Sequence, residues 1–298
     1  MSSLFCPAPA LAPGDVVSVI APSSPFDRAA FDRGLQRLSE RYRPRLAPDL
    51  FACERYLAGS DARRLQALNE ALADAESRAI FCARGGYGAM RLLPGLKLPE
   101  TPKVLVGFSD ITALHAALQV NGWRSLHGPV LTQLGRLDEA MARALFDCLE
   151  SGTHLPRFVG EAVVPGVVEG PVLGGNLSVL TRLIGTPFLP ALDGAILFLE
   201  DVGERPYRLD RMLQHLALAG GLARVAGVAL GDFTDCDDEH LQLRGAAFVR
   251  EELARQGVPC VAGLRVGHGL DNWPLPLGAR ARLDGAAGTL CFVEGVVE

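Results

Sequence analysis

The chain has 298 residues, 49% of them hydrophobic and 21% charged, which is enough apolar material for one large or two medium cores and excludes extended disorder. Its net charge is −5, its pI is near 5.7 and it has no basic stripe, which argues against nucleic acid as a partner. No apolar run approaches the ~20 residues of a membrane span. The seven cysteines contain no Cys-x-x-Cys pair, so they read as buried thiols of a reducing compartment, the cytoplasm, rather than as a disulfide framework or a zinc site.

Residues 1–14 lack Lys and Arg and carry Pro7, Pro9 and Pro13, unlike a secretory leader. Residues 15–21 form a β-branched apolar run that predicts a buried strand, followed by the loop Pro22-Ser-Ser-Pro25. A helix is predicted over 26–41, with Phe31, Leu35 and Leu38 on one face. A second is predicted over 61–75, with Ser60 as N-cap and Leu65, Leu68 and Leu72 at helical spacing. Residues 79–83 predict a strand that runs into Arg84-Gly-Gly-Tyr-Gly88. Residues 103–108 predict another, ending at Ser109, and 110–119 return to helical spacing.

This alternation predicts a parallel α/β sheet covered on both faces. Ligands bind beyond the carboxyl ends of such strands, where the loops after Ala21, Ala83 and Phe108 would meet. The predicted organisation is therefore an α/β domain over 1–150, a crossover over 151–170 that is rich in Pro, Gly and Val, and a second domain over 171–298. That second unit carries predicted helices over 176–184, 209–219 and 241–256 and strands over 195–200, 225–230, 280–284 and 289–293. It reads as a smaller α+β or barrel-like body.

Several residues invite chemistry. Ser109 stands where a buried strand gives way to a helix, a place suited to a nucleophile flanked by backbone N–H donors. The string Gly107-Phe-Ser-Asp-Ile111 departs from Gly-x-Ser-x-Gly, and taken alone it favours a helix cap. The segment 84–88 lacks the Lys-Ser/Thr of a phosphate-binding loop, so a glycine turn or an oxyanion donor are the readings left. A serine nucleophile needs a base and an acid that orients it. Among the histidines, His154 and His240 read as surface residues and His115 and His215 as packing residues in helices. His127, at the end of a short apolar run, and His268, between glycines, compete as base. Glu200 closes an apolar strand where a carboxylate can be aimed at one partner, with Asp201 and Glu204 as rivals. The acidic run 235–240 lacks metal-ligand spacing and reads as a solvated helix start.

Together the strings Ile20-Ala-Pro-Ser-Ser24, Ala83-Arg-Gly-Gly-Tyr-Gly88, Val106-Gly-Phe-Ser-Asp110, Leu126-His-Gly-Pro129, Gly174-Gly-Asn-Leu177, Phe198-Leu-Glu-Asp201 and Gly267-His-Gly-Leu-Asp-Asn272 resemble the LD-carboxypeptidase family of serine peptidases (S66), in family order along nearly the whole chain. The resemblance implies a flavodoxin-like N-terminal domain of the class I glutamine amidotransferase kind and a smaller β-rich α+β C-terminal domain. It also implies a catalytic Ser109–His268–Glu200 triad, an oxyanion hole of the Gly86 and Asp110 amides, a homodimer, and neither metal nor organic cofactor. The implied substrate is a murein tetrapeptide, cut before its terminal D-alanine. Substrate contacts are expected from Arg84, Ser23, His127 or Arg205, with one of the two arginines on the free carboxylate. Two alternatives remain beside this reading. One is a microcin-immunity type hydrolase of aminoacyl-nucleotides, for which Trp273 would be the stacking ring. The other is a murein-peptide binding protein without activity.

Overall fold

The computed structural model describes residues 5–298, so the first four residues of the N-terminal segment judged unlike a leader lie outside the described residues. The first half runs β1 (Val16–Ile20), α1 (Arg28–Ser39), β2 (Arg43–Leu46), α2 (Asp61–Ala73), β3 (Ser77–Cys82), β4 (Val104–Gly107), α3 (Thr112–Val120), β5 (Ser125–His127), α4 (Leu131–Leu134) and α5 (Glu139–Glu150). The second half runs β6 (Arg157–Val159), β7 (Glu161–Val164), β8 (Val167–Asn176), α6 (Leu177–Thr181), β9 (Ile196–Val202), α7 (Pro206–Leu218), α8 (Gly221–Arg224), β10 (Gly227–Thr234), α9 (Gly245–Gln256), β11 (Cys260–Ala262), β12 (Leu275–Leu277), β13 (Arg280–Asp284) and β14 (Thr289–Phe292).

Local chemistry sets the helix starts. The Ser60 Oγ accepts the Arg63 amide to open α2, and Asp27 and Asp138 do the same for α1 and α5. The helix predicted from 241 begins later, at Gly245, because Asp238 and Leu243 bridge in a tight turn and Asp237 accepts the Gly245 amide at 3.0 Å. The acidic run is thus a turn and a cap.

Two sheets result. The first has the order β12-β5-β4-β3-β1-β2 and is parallel except for β12. Successive residues of its strands enter opposite cores. Phe81, Val104 and Val106 pack with Phe31, Leu38 and Leu145, while Ile80 and Leu105 pack with Leu68, Leu72 and Leu114. This two-sided burial explains the near-continuous apolar runs. The second sheet has the order β6-β14-β13-β8-β9-β10-β11-β7. Its two edge strands are separated in sequence by Gly160 alone, whose amide donates to Gly288. The sheet therefore curls toward closure around Val172, Phe198, Leu275 and Leu283, while α6, α7 and α9 cover its outer face. The protein is a mixed α/β fold of two sheets, as the sequence implied.

The boundaries differ from those read in the sequence. Residues 157–170 are not a crossover but already strands of the second sheet. Conversely, β12 pairs with β5 of the first sheet, and the Glu298 amide donates to Ala8 while Val296 and Val297 enter the first core. The chain leaves the first body near residue 150 and returns to it twice.

Candidate active site

The strands β1, β3 and β4 end side by side, and the loops after them meet around Ser109. The turn from β4 into α3 is tight. Ser109 has φ +65°, a left-handed conformation that costs a residue with a side chain about 1–2 kcal/mol. It lifts the hydroxyl out of the strand end and leaves it half-buried. Behind it, Asp110 is buried, and its Oδ2 accepts the Ser23 hydroxyl at 2.6 Å and the Ala89 amide at 2.8 Å. Burial pushes the Asp110 carboxyl upward while these hydrogen bonds oppose the shift.

The glycine loop is held at several points. The Ser24 Oγ accepts the Tyr87 amide at 3.1 Å, and the Ser24 amide donates to Gly85 at 3.3 Å. Gly86 has φ +109°, and a β-carbon there would stand 2.5 Å from the Ser24 Oγ, so both conformation and space demand glycine. Arg64 of α2, fully buried, donates to the Gly88 carbonyl at 2.9 Å and to Pro22, and is paired with Asp61. It ties two of the three loops together. The sequence reading passed over Arg64, although a cation four residues before Leu68 on the apolar face of α2 was the signal.

The second body supplies the partners. Glu200 lies near the end of β9 and is fully buried; its Oε2 accepts the His268 Nδ1–H at 2.7 Å. The His268 Nε2 in turn accepts the Ser109 hydroxyl at 3.1 Å. Burial alone would lower the imidazole pKa, but Glu200, with further help from Asp201 and Asp232, raises it. The ring lies tilted against Phe108, with centroids 4.7 Å apart. Of the two histidines weighed as base, it is His268, the one the resemblance implied, that stands within hydrogen-bond reach of Ser109.

The other expected contacts fare unevenly. His127 is fully buried between Phe108 and Phe198, with ring centroids 5.6 and 5.0 Å away, and burial holds it well below the ordinary histidine range. Ser23 is fully buried on Asp110. Neither can meet a substrate from solvent, so both expectations are corrected to supports of the site's framework. Arg84 is exposed and donates to the Pro25 carbonyl at 2.8 Å, and Arg205 is exposed just before α7. Trp273 packs partly buried against the inner core of the curled sheet. Among the described residues, no group of three or more His, Cys, Asp or Glu is placed to hold a metal, and no helix is long and apolar enough to cross a membrane.

Residues 17–128 match the model of the LD-carboxypeptidase N-terminal domain and residues 169–283 that of the LD-carboxypeptidase C-terminal domain. The chain belongs to the LD-carboxypeptidase family, and it is a hydrolase of carboxypeptidase type. It is 35% identical to the murein tetrapeptide carboxypeptidase of Pseudomonas aeruginosa over 90% of this chain and 93% of that one. The crystal structure of muramoyltetrapeptide carboxypeptidase from Oxalobacter formigenes superposes with TM-score 0.84 and 31% identity, covering 94% and 98% of the two chains. The structure of MccF in complex with glutamyl sulfamoyl guanosine superposes with TM-score 0.86 at 23% identity over 98% and 99%, a likeness of fold.

Proposed function

We propose that this protein is a serine carboxypeptidase that removes the terminal D-alanine from murein tetrapeptides by acyl transfer. The observation that carries this reading is the unbroken hydrogen-bond chain Ser109–His268–Glu200, assembled from both bodies at the strand ends of the first. In this mechanism His268 takes the Ser109 proton as the hydroxyl attacks the carbonyl between the L-centre of the diamino acid and D-alanine. Glu200 holds the tautomer with its proton on Nδ1 and stabilises the imidazolium. The Gly86 amide, on the loop after β3, and the Asp110 amide, next to Ser109 in the β4 turn, receive the oxyanion; one such donor is worth about 3 kcal/mol. His268 then protonates the leaving D-alanine amine, and water, activated by the same imidazole, releases the peptide and frees Ser109. Arg84 or Arg205 binds the free carboxylate. The raised imidazole pKa supports a strong base, active only where it is unprotonated, so kcat/KM rises with pH through the His268 titration. The same reading places the protein in the cytoplasm as a homodimer.

The test is D-alanine release from a defined murein tetrapeptide. Ser109→Ala and His268→Ala are expected to lower it by about 10⁴-fold or more without loss of the folded state by circular dichroism. Equal release by wild type and Ser109→Ala would remove Ser109 from the mechanism.

A further inference from the structure

The strand beside Glu200 is irregular at one point. β10 pairs with β9 through Leu230 opposite Leu199 and through Phe233 opposite Asp201, so Gly231 and Asp232 together face the single residue Glu200. This is a β-bulge beside the catalytic acid, and bulges re-aim side chains. Gly231 lets the bulge close, because a β-carbon there would lie 2.2 Å from the Val266 carbonyl and 3.2 Å from the Glu200 Cβ. The Asp232 amide then donates to Val266 at 2.9 Å, which anchors the segment leading into His268. The carboxylate of Asp232 is carried under the backbone just after His268: a β-carbon on Gly269 would stand 2.5 Å from Oδ2, and the Gly269 amide acts on it as a donor. The rest of this loop is held from within. Asn272 Oδ1 accepts the Gly267 amide at 3.0 Å, Asp271 pairs with Arg265, and the Trp273 amide donates to Arg265 at 3.1 Å.

We propose that Asp232 is a positioning residue, a second carboxylate that fixes the Gly267–Gly269 turn so that His268 faces Ser109 and that adds negative charge beside the imidazolium. The inference rests on the serine-hydrolase reading above and extends it to a residue which touches neither substrate nor nucleophile. Burial raises the Asp232 pKa to about 6, and the nearby Glu200 and Asp271 add to the shift while the Gly269 amide and His268 oppose it. Glu161 and Arg250, paired with each other, line the same hollow from β7 and α9. Ionised Asp232 raises the His268 pKa, so its removal lets the imidazole lose its proton at lower pH. As pH falls the raised His268 takes up its proton first and Asp232, pushed up to about 6, follows, so the acid limb of activity is that of the imidazole.

The test uses the intact protein and an alkyl fluorophosphonate. Ser109 Oγ bonds to phosphorus, fluoride leaves, and His268 takes the hydroxyl proton, so the labelling rate reads the dyad without the natural substrate. Asp232→Asn keeps an acceptor for the Gly269 amide and removes the charge. Its acid limb is expected to move to lower pH by several tenths of a unit. Asp232→Ala removes both acceptor and charge, and its labelling at neutral pH is expected to slow about tenfold or more. D-alanine release, measured in parallel, is expected to fall in kcat with little change in KM. Labelling rates and acid limbs equal to wild type in both variants would overturn the proposal, as would a rise in KM alone, which would put Asp232 on the substrate. If Asp232→Ala does not fold, the Asp232→Asn limb decides. A wild type that labels with these shifts but releases no D-alanine would sink the murein reading and leave the role of Asp232 standing.

Discussion

Buried carboxyls at this site differ in what they are asked to do. Glu200 faces His268, whereas its neighbour Asp201 points to the other side of β9 and accepts the Val202 and Ser178 amides at 2.8 Å and Asn176 Nδ2 at 3.1 Å. Burial, with the charge of Glu200, raises the Asp201 pKa to about 7, against an ordinary value of 3.8. A carboxyl raised on folding lends stability that is full below its unfolded pKa and is lost as pH rises through the folded one. The melting temperature of wild type minus that of Asp201→Asn is therefore expected to shrink between about pH 5 and about pH 8. Calorimetry at both values checks this, and a constant difference would mean that Asp201 titrates as it does in water. The sequence offered Asp201 only as a rival to Glu200. Strand alternation separates them, because adjacent residues of β9 face opposite sides.

The glycine loop after β3 shows what an element contributes beyond its residues. Its conformation is set by Ser24, Asp110 and Arg64, one each from the β1 loop, the β4 turn and α2. Gly86→Ala meets both a φ of +109° and a β-carbon position 2.5 Å from the Ser24 Oγ. If this amide receives the oxyanion, kcat is expected to fall about 10²-fold or more, with KM changed much less. Steady-state kinetics on a tetrapeptide decide the matter; a variant with wild-type kcat would place the oxyanion elsewhere. The glycines themselves were legible as a loop at a strand end. Their anchors were not, because nothing in the local strings around Arg64 and Asp110 shows what either side chain will meet. Each turns inward only because another loop brings it a partner.

At the scale of the molecule, the site exists only between the two bodies. The Thr112 Oγ1 at the head of α3 accepts the Asn176 amide of β8 at 3.0 Å, and Gly175 packs so closely that a β-carbon there would stand 2.6 Å from that oxygen. This contact sets α3, and with it Ser109, against the sheet that carries Glu200. Thr112→Val leaves the buried Asn176 amide without its acceptor, which costs about 1–3 kcal/mol. Such a variant is expected to melt several degrees lower and to lose D-alanine release more steeply than stability alone explains. Activity that tracks only the folded fraction would mean that the docking tolerates this loss. The returns of β12 and of residues 296–298 to the first body are what linear boundaries could not carry: pairing between distant segments leaves little local signal.

The sequence by itself determined the alternation of apolar strands and amphipathic helices, the Ser60 cap that starts α2, and the loops at the strand ends where chemistry would lie. These follow from side-chain periodicity and local hydrogen bonding, which act over a few residues. It also marked Ser109, and through family resemblance paired it with Glu200 and His268. The tertiary structure brings that histidine within hydrogen-bond reach of the serine, because His127 and His268 differ in where the folded chain carries them rather than in their local strings. It moved Ser23 and His127 from the substrate to the framework, since burial is a property of the packed molecule. It also turned the Gly231–Asp232 pair of β10 into a bulge under the His268 loop, a feature that appears only when the register of β9 against β10 is known.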